Sequence, residues 1–293
     1  MQYKIPVLGI EPTKNTAEVA ILKGIPCITE FFGVSLANEL VSHGKKSDLL
    51  IGNNVLAHVP DILDFVQGQK IILNDTGVIT MEFPHVMKLI ENSQFDTIYH
   101  EHFSYLSFYF VKALFESQDL EIFDVEELKT HGGSLRIYAK HKKDNTKAVT
   151  PAVAELIKKE IEAGVNNISY YKNFQKKAEK IKMDLLLFLI TARQNNKGVA
   201  GYGAAAKGNT LLNYCGVKKD LVKFVVDANP AKQNKYLPAS HIPVLNEVEL
   251  KEQKPDFVII LPWNLKDEIQ QQLSYIKDWG GKFVIPIPKL EII

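Results

Sequence analysis

Between Tyr99 and Tyr105 the chain reads Tyr99-His100-Glu101-His102-Phe103-Ser104-Tyr105, placing two imidazoles, a carboxylate and two phenols within seven residues. Histidine is the side chain best suited to gain and lose a proton near neutral pH. A neighbouring carboxylate can raise its basicity and fix its tautomer, as removal of a proton next to a carbonyl requires. Each histidine taken alone reads more simply as a satisfied polar residue of a loop. The clustering, with Tyr99 alongside, turns the reading toward proton-transfer chemistry.

The elements before the cluster have to position it. Ile5 to Ile10 is an apolar run stopping at Glu11-Pro12, the pattern of a buried parallel strand. Asn15, with Glu18 three residues on, has capping-box spacing for the helix that follows, and Gly24 ends it. Strands are predicted at Ile25 to Phe32, Asp48 to Ile51 and Lys70 to Leu73, with helices over 35–42 and 61–67 between them. Strands alternating with helices imply a parallel sheet, and in such sheets ligands lie beyond the carboxyl ends of the strands. That rule selects Glu11, Asn53, Asn54 and the stretch 74–105. Glu11 suits either the two hydroxyls of a ribose or the first turn of a helix, and Asn53-Asn54 suit either a ligand's polar groups or a turn. After helices at about 85–93 and 108–118, Leu120 to Val125 and Ser134 to Lys140 read as an antiparallel pair joined through His131-Gly132-Gly133. The cluster therefore belongs to an insertion beyond a central strand.

Residues 142–151 are polar, and 152–194 carry apolar residues at helical spacing, with Gly164 and Asn166-Asn167 as a break. The lysines at 172, 176, 177, 180 and 182 read as a solvated helix face. A second α/β unit opens at Lys197. Gly201-x-Gly203-x-x-Ala206 has the outline of a nucleotide-binding turn, weak evidence alone, and Lys207 adds a positive charge suited to a diphosphate. The alternative for this half is a structural Rossmann-like domain.

Composition restricts the partners. The 293 residues carry a formal net charge of +1, with 46% hydrophobic and 24% charged residues. Such a balance gives no argument for nucleic acid or a membrane surface as partner. Two cysteines, Cys27 and Cys215, are too few for a disulfide framework or a four-thiolate zinc site, so no metal is expected and a reducing cytoplasm fits. No apolar run approaches the roughly 20 residues of a membrane span.

Several blocks together resemble the C-methyltransferase family that acts on nucleotide-linked deoxysugars. They are Leu8 to Pro12, Gly24-Ile25-Pro26 with Phe31-Phe32-Gly33, Asn53 to Asp61, Tyr99 to Tyr105 and His131 to Arg136. Gly201 to Gly208, Asp227 to Pro243 and Leu261-Pro262-Trp263-Asn264 complete the set, in family order across the chain. The resemblance implies methyl transfer from S-adenosylmethionine to the carbon beside the ketone of a keto sugar, commonly carried on dTDP, through a base-generated enolate. It implies His102 as base, Glu101 as its orienting partner, and Tyr99 and His58 near the ketone oxygen. Glu11, Asn53 and Asn54 would hold the cofactor, and Tyr202, Lys207 and Lys232 the nucleotide diphosphate.

The expected fold is α/β: an incomplete class I methyltransferase Rossmann-like domain over 1–145, a helical linker over 146–196, and a smaller Rossmann-like domain over 197–293. The family's cysteine-rich zinc-binding domain and first strand with its glycine-rich cofactor loop have no counterpart here. That strand belongs between the 5–10 and 48–51 strands, so the sequence reads as a fragment, a shortened frame, or a chain whose sheet a second chain completes. Two other functions stay open: a non-catalytic nucleotide-sugar-binding remnant, and a nicotinamide-dependent oxidoreductase built on the Gly201–Ala206 turn.

Overall fold

The computed structural model describes residues 5–293. In chain order the first elements are β1 (Gly9–Ile10), α1 (Lys14–Leu22), β2 (Cys27–Ile28), α2 (Val34–Ser42), β3 (Ser47–Asn53), α3 (Ile62–Ile72), β4 (Leu73–Pro84) and α4 (Val86–Glu91). Then come α5 (Phe108–Ser117), β5 (Leu120–Leu128), β6 (Ser134–His141), α6 (Pro151–Ala163), α7 (Phe174–Gln194), β7 (Val199–Tyr202) and α8 (Ala206–Cys215). The chain finishes with β8 (Val225–Val226), β9 (Lys235–Tyr236), β10 (Pro243–Leu245), α9 (Val248–Gln253), β11 (Phe257–Ile260), α10 (Lys266–Gln272), β12 (Lys282–Ile285) and β13 (Glu291–Ile292).

The chain divides into two compact units that interleave in sequence. The first takes the residues up to Phe83 with Phe103–Leu128 and Leu135–Glu160; the second takes Pro84–His102, Lys129–Ser134 and Ile161–Ile293. These divisions differ from the expected cuts at 145 and 196. The helix expected to link the units, α7, instead buries Ala178, Ile181, Leu185, Leu189 and Ala192 in the second unit's core. Residues at that spacing form one stripe of an α-helix, and the stripe follows the largest apolar surface within reach.

The first unit holds a four-stranded sheet in the order β3-β4-β6-β5, with β3 parallel to β4 and Asn53 in register with Glu82. Its core runs from Leu56 and Phe65 through Ile79, Phe83, Phe108 and Phe115 to Ile137 and Leu156. A separate parallel pair, β1-β2, matches Gly9 to Cys27 and Ile10 to Ile28. The strands expected over 5–10 and 25–32 are thus two residues each, since each has one partner over a short register. Among the described residues no strand pairing joins β1-β2 to β3, and Ile51 of β3 is 65% exposed. The strand expected at 70–73 is instead the last turn of α3 and the first residue of β4. Asp61 caps α3 by accepting the Asp64 N–H at 3.0 Å, and the apolar run 71–73 fits either conformation locally. Asn15 lies inside α1 rather than at its cap, because Thr13 is extended and its N–H is held by Glu11 at 2.8 Å.

The second unit is a mainly parallel sheet in the order β13-β12-β11-β7-β8-β10-β9. Numbered within the unit, the parallel strands β7, β8, β10, β11 and β12 stand in space as 3-2-1-4-5, the doubly wound Rossmann arrangement. Its core is buried on both faces, with Val225, Val258, Ile259, Ile260 and Phe283 fully enclosed, as an internal parallel sheet requires. The order reverses between β7 and β11. The carboxyl ends of those two strands are therefore where this fold opens to a ligand.

Candidate functional site

The Tyr99–Tyr105 cluster follows a tightly held turn of the second unit. Phe95–Thr97 is a 3-10 turn in which the Thr97 hydroxyl donates to the Gln94 carbonyl at 2.8 Å. The Gln94 amide in turn donates to the Gly132 carbonyl at 2.7 Å. His102 Nδ1 lies 2.8 Å from the Thr97 carbonyl oxygen. A carbonyl can only accept, so Nδ1 carries the proton and Nε2 is the basic nitrogen of the neutral ring. The Tyr99 ring lies over the imidazole at a centroid distance of 4.4 Å and an angle of 31°, and Tyr99 O accepts the His102 N–H at 3.1 Å. The group that orients His102 is thus a main-chain carbonyl. Glu101, expected in that role, is exposed, as is His100.

The switch point of the second sheet carries the other constellation. Gly203 follows β7 with φ +89°, and a Cβ there would lie 2.6 Å from Pro262 after β11. Only glycine allows the two strand ends to approach this closely. Helix α8 has Ala205 at its N-cap and no side-chain cap, so its first N–H groups lack that partner and stand at the positive end of the helix dipole. Lys207 stands in that first turn. Its ammonium donates to Asn264 Oδ1 at 2.7 Å and lies 4.7 Å from the centroid of the Trp263 ring. The indole N–H of Trp263 donates to Asp96 Oδ2 at 2.7 Å. Asp96 is fully buried, and its Oδ1 has no hydrogen-bond partner. Burial pushes the Asp96 carboxyl up to about 7, with the Trp263 hydrogen bond and the Lys207 charge pulling the other way. Burial also lowers the Lys207 pKa, and the Asp96 charge opposes that fall.

The remaining residues expected at the nucleotide differ in setting. Lys232 pairs with Asp227 Oδ2 at 3.4 Å, and the same oxygen accepts the Ala204 N–H at 2.7 Å, so Lys232 borders the glycine turn. Asp227 Oδ1 accepts the Asn229 N–H at 2.8 Å, so both carboxylate oxygens hold main chain. That commitment leaves Asp227 poorly placed to take a ribose diol as an oxidoreductase of this fold would need. Tyr202 is buried in β7; its hydroxyl donates to Glu247 at 2.6 Å and accepts from Gln272 at 3.0 Å. Burial and Glu247 push the phenol pKa up.

Glu11, Asn53, Asn54 and His58 all belong to the first unit. Glu11 follows β1; its Oε1 accepts the Thr13 N–H. Asn53 ends β3 and is exposed, while Asn54 adopts a left-handed φ of 55° and donates its N–H to Glu82 O at 2.7 Å. His58 closes the 3-10 turn Leu56–His58, and the preceding Ala57 carbonyl accepts the N–H groups of Phe103 and Ser104 at 2.9 and 3.2 Å. Sequence reasoning missed Asp96 and Gln94. The signal available was a pair of polar side chains beside Phe95 and Ile98, directly before the cluster.

Among the described residues no group of three His, Cys, Asp or Glu side chains is arranged to hold a metal ion. No helix among them is long and apolar enough to cross a membrane. Structures with related folds include an S-adenosylmethionine-dependent methyltransferase of Thermotoga maritima, 18% identical, covering 47% of this chain and 73% of that one with a TM-score of 0.36. Another, from Anabaena variabilis, is 15% identical, covers 48% of this chain and 70% of that one, and has a TM-score of 0.38. The family model of the C-methyltransferase C-terminal domain matches residues 129–288. The C-methyltransferase NovU of Streptomyces niveus is 34% identical over 287 residues, which is 98% of this chain and 68% of that protein. On the family model and the match to NovU, the chain belongs to the C-methyltransferases, enzymes whose methyl donor is S-adenosylmethionine.

Proposed function

We propose that the chain methylates the carbon next to the ketone of a nucleotide-linked keto-deoxysugar, most simply a dTDP-4-keto sugar, through an enolate formed by His102. The observation that carries this reading is the hydrogen bond from His102 Nδ1 to the Thr97 carbonyl, which makes Nε2 the basic nitrogen. A general base needs that tautomer and a fixed ring. Tyr99 stacks on the ring and brings its phenol to the same loop. It serves as donor to the oxygen on which charge develops, worth about 3 kcal/mol for a well-aimed donor. Glu101, the carboxylate expected to orient the base, is exposed on the same loop.

Lys207 and Lys232 take the diphosphate at the start of α8, and Tyr202 braces the strand end beneath them. The uncapped helix N-terminus with an ammonium in its first turn suits phosphate oxygens. Glu11, Asn53 and Asn54 hold S-adenosylmethionine. Their donor set fits its adenosyl half: Glu11 Oε1 is engaged by Thr13, which leaves Oε2 for a ribose hydroxyl, and an exposed amide can both give and accept. When bound, the cofactor supplies an electrophilic methyl group. Both cysteines are free thiols, as a reducing cytoplasm keeps them.

The test is deuterium exchange in heavy water. Incubated with a dTDP-4-keto-deoxysugar, the chain exchanges the proton beside the ketone, and His102→Ala abolishes the exchange. Exchange that persists at the wild-type rate in His102→Ala removes His102 as base. A second reading, a nucleotide-sugar-binding module without catalysis, is favoured by the location of Lys207, Lys232 and the α8 terminus in a unit of their own. Calorimetry separates the two: the module binds dTDP and shows no heat with S-adenosylmethionine.

A further inference from the structure

Asp96 has no place in the mechanism so far, yet its surroundings are costly. The carboxylate is fully buried on the Phe95–Thr97 turn, against which α8 packs, and one oxygen lacks any hydrogen-bond partner. A purely structural acceptor for the Trp263 indole needs no charge, since an asparagine would accept the same N–H. A buried ionisable group with an unsatisfied oxygen is destabilising unless a nearby charge uses it. The nearby charge is Lys207, whose own burial favours loss of its proton.

We propose that Asp96 is the positioning residue of Lys207, holding its ammonium seated on the Trp263 indole at the carboxyl ends of β7 and β11, ready for an anionic group of the substrate. The inference rests on the reading that Lys207 receives the nucleotide diphosphate. Three contacts define the arrangement. Asp96 Oδ2 fixes the indole edge at 2.7 Å, the indole face receives the ammonium at 4.7 Å, and Asn264 Oδ1 takes one ammonium proton at 2.7 Å. Gly132 completes the seat, because a Cβ there would lie 2.6 Å from the Trp263 ring. The elements around the carboxylate are α8, the turn Trp263–Leu265 and, packed on that turn, Thr130–Gly132. Of their titratable and charged groups, Lys207, Tyr214, Cys215 and the exposed His131, Lys207 is the one whose charge bears on Asp96. With its carboxyl pushed up to about 7, Asp96 supplies its full charge to Lys207 above neutrality and little at pH 6.

The test uses the full chain, the variant Asp96→Asn and two readouts. First, dTDP binding is measured by calorimetry at pH 6 and pH 8. The variant is expected to bind about tenfold more weakly than wild type at pH 8, the scale of one charge-assisted contact, and nearly as well as wild type at pH 6. A merely structural role would weaken binding equally at both values. Second, the chain has two tryptophans, so ¹⁵N-indole labelling gives two resonances, with Trp279→Phe assigning that of Trp263. The Trp263 N–H resonance is expected to titrate with a midpoint near pH 7 in wild type and to be flat in Asp96→Asn. A flat wild-type titration, or equal or tighter dTDP binding by Asp96→Asn at pH 8, overturns the proposal. Wild-type chain that binds no dTDP refutes the nucleotide reading instead, and the indole titration still decides the Asp96–Lys207 pair.

Discussion

Replacing Asp96 by asparagine will make the second unit more stable at pH 8 while leaving it nearly unchanged at pH 5. The sign follows from proton linkage. The folded state holds the Asp96 proton up to about pH 7, whereas an unfolded aspartate releases it at about 3.8. Stability from this group is therefore complete below about 3.8, falls as pH rises toward 7, and is level above that. The full span is about 3 pH units at about 1.4 kcal/mol each, giving a ceiling of about 4 kcal/mol. Between pH 5 and pH 8 the wild type loses about 3 kcal/mol of it, and asparagine, with no proton to lose, loses none. Asparagine keeps an acceptor for the Trp263 indole, so its own cost at pH 5 is expected within about 1 kcal/mol. The assay is urea unfolding followed by tryptophan fluorescence at half-unit steps from pH 5 to 8. Trp263 and Trp279 both lie in the second unit and report on it alone. Parallel stability curves for wild type and variant would refute the argument, as would a variant that falls further behind at pH 8. A gain in stability with a loss of dTDP affinity is the trade expected of a residue kept for function.

Three further substitutions test other parts of the structure. Glu11→Gln removes the carboxylate assigned to the adenosyl ribose; calorimetry is expected to show S-adenosylmethionine binding weakened about tenfold, the scale of one charged hydrogen bond, with dTDP binding unchanged. Unchanged S-adenosylmethionine affinity would dismiss Glu11 from that role. Gly132→Ala forces a side chain onto a residue at φ +91° and against the Trp263 ring, so the unfolding midpoint drops by an amount equivalent to about 1–3 kcal/mol and the Trp263 indole resonance moves. Glu160→Ala strips the buried carboxylate that accepts the Phe108 and Tyr109 N–H groups at 2.8 and 2.6 Å. Denaturant unfolding is expected to show a loss of about 1–3 kcal/mol in the first unit, because two N–H donors at the start of α5 lose their acceptor and that of Phe108 is buried.

What could be read from the chain divides along a physical line. The α7 stripe and the glycine turn after β7 rest on local periodicity and on glycine's conformational freedom, so spacing in the sequence exposed both. The end of α3 could not be read that way, because Ile71-Ile72-Leu73 suits a helix end or a strand start and the choice was made by pairing with β3. The interleaved units were equally hidden: Pro84–His102 and Lys129–Ser134 join the C-terminal residues through contacts that leave no mark on neighbouring positions. In the candidate site the residues with recognisable chemistry, Tyr99, His102 and Lys207, were visible by type. The groups that hold them were not. His102 is oriented by a main-chain carbonyl, which every residue possesses, and Trp263 meets Asp96 across 167 positions. Those two hidden contacts come from adjacent residues. Asp96 sends its side chain to Trp263 beneath Lys207, and Thr97 gives its carbonyl to His102. A turn of three residues, pinned by Gln94 and Thr97, thereby supports both the base and the ammonium, so a change that tilts it will move both together, whereas Asp96→Asn will touch the charge alone.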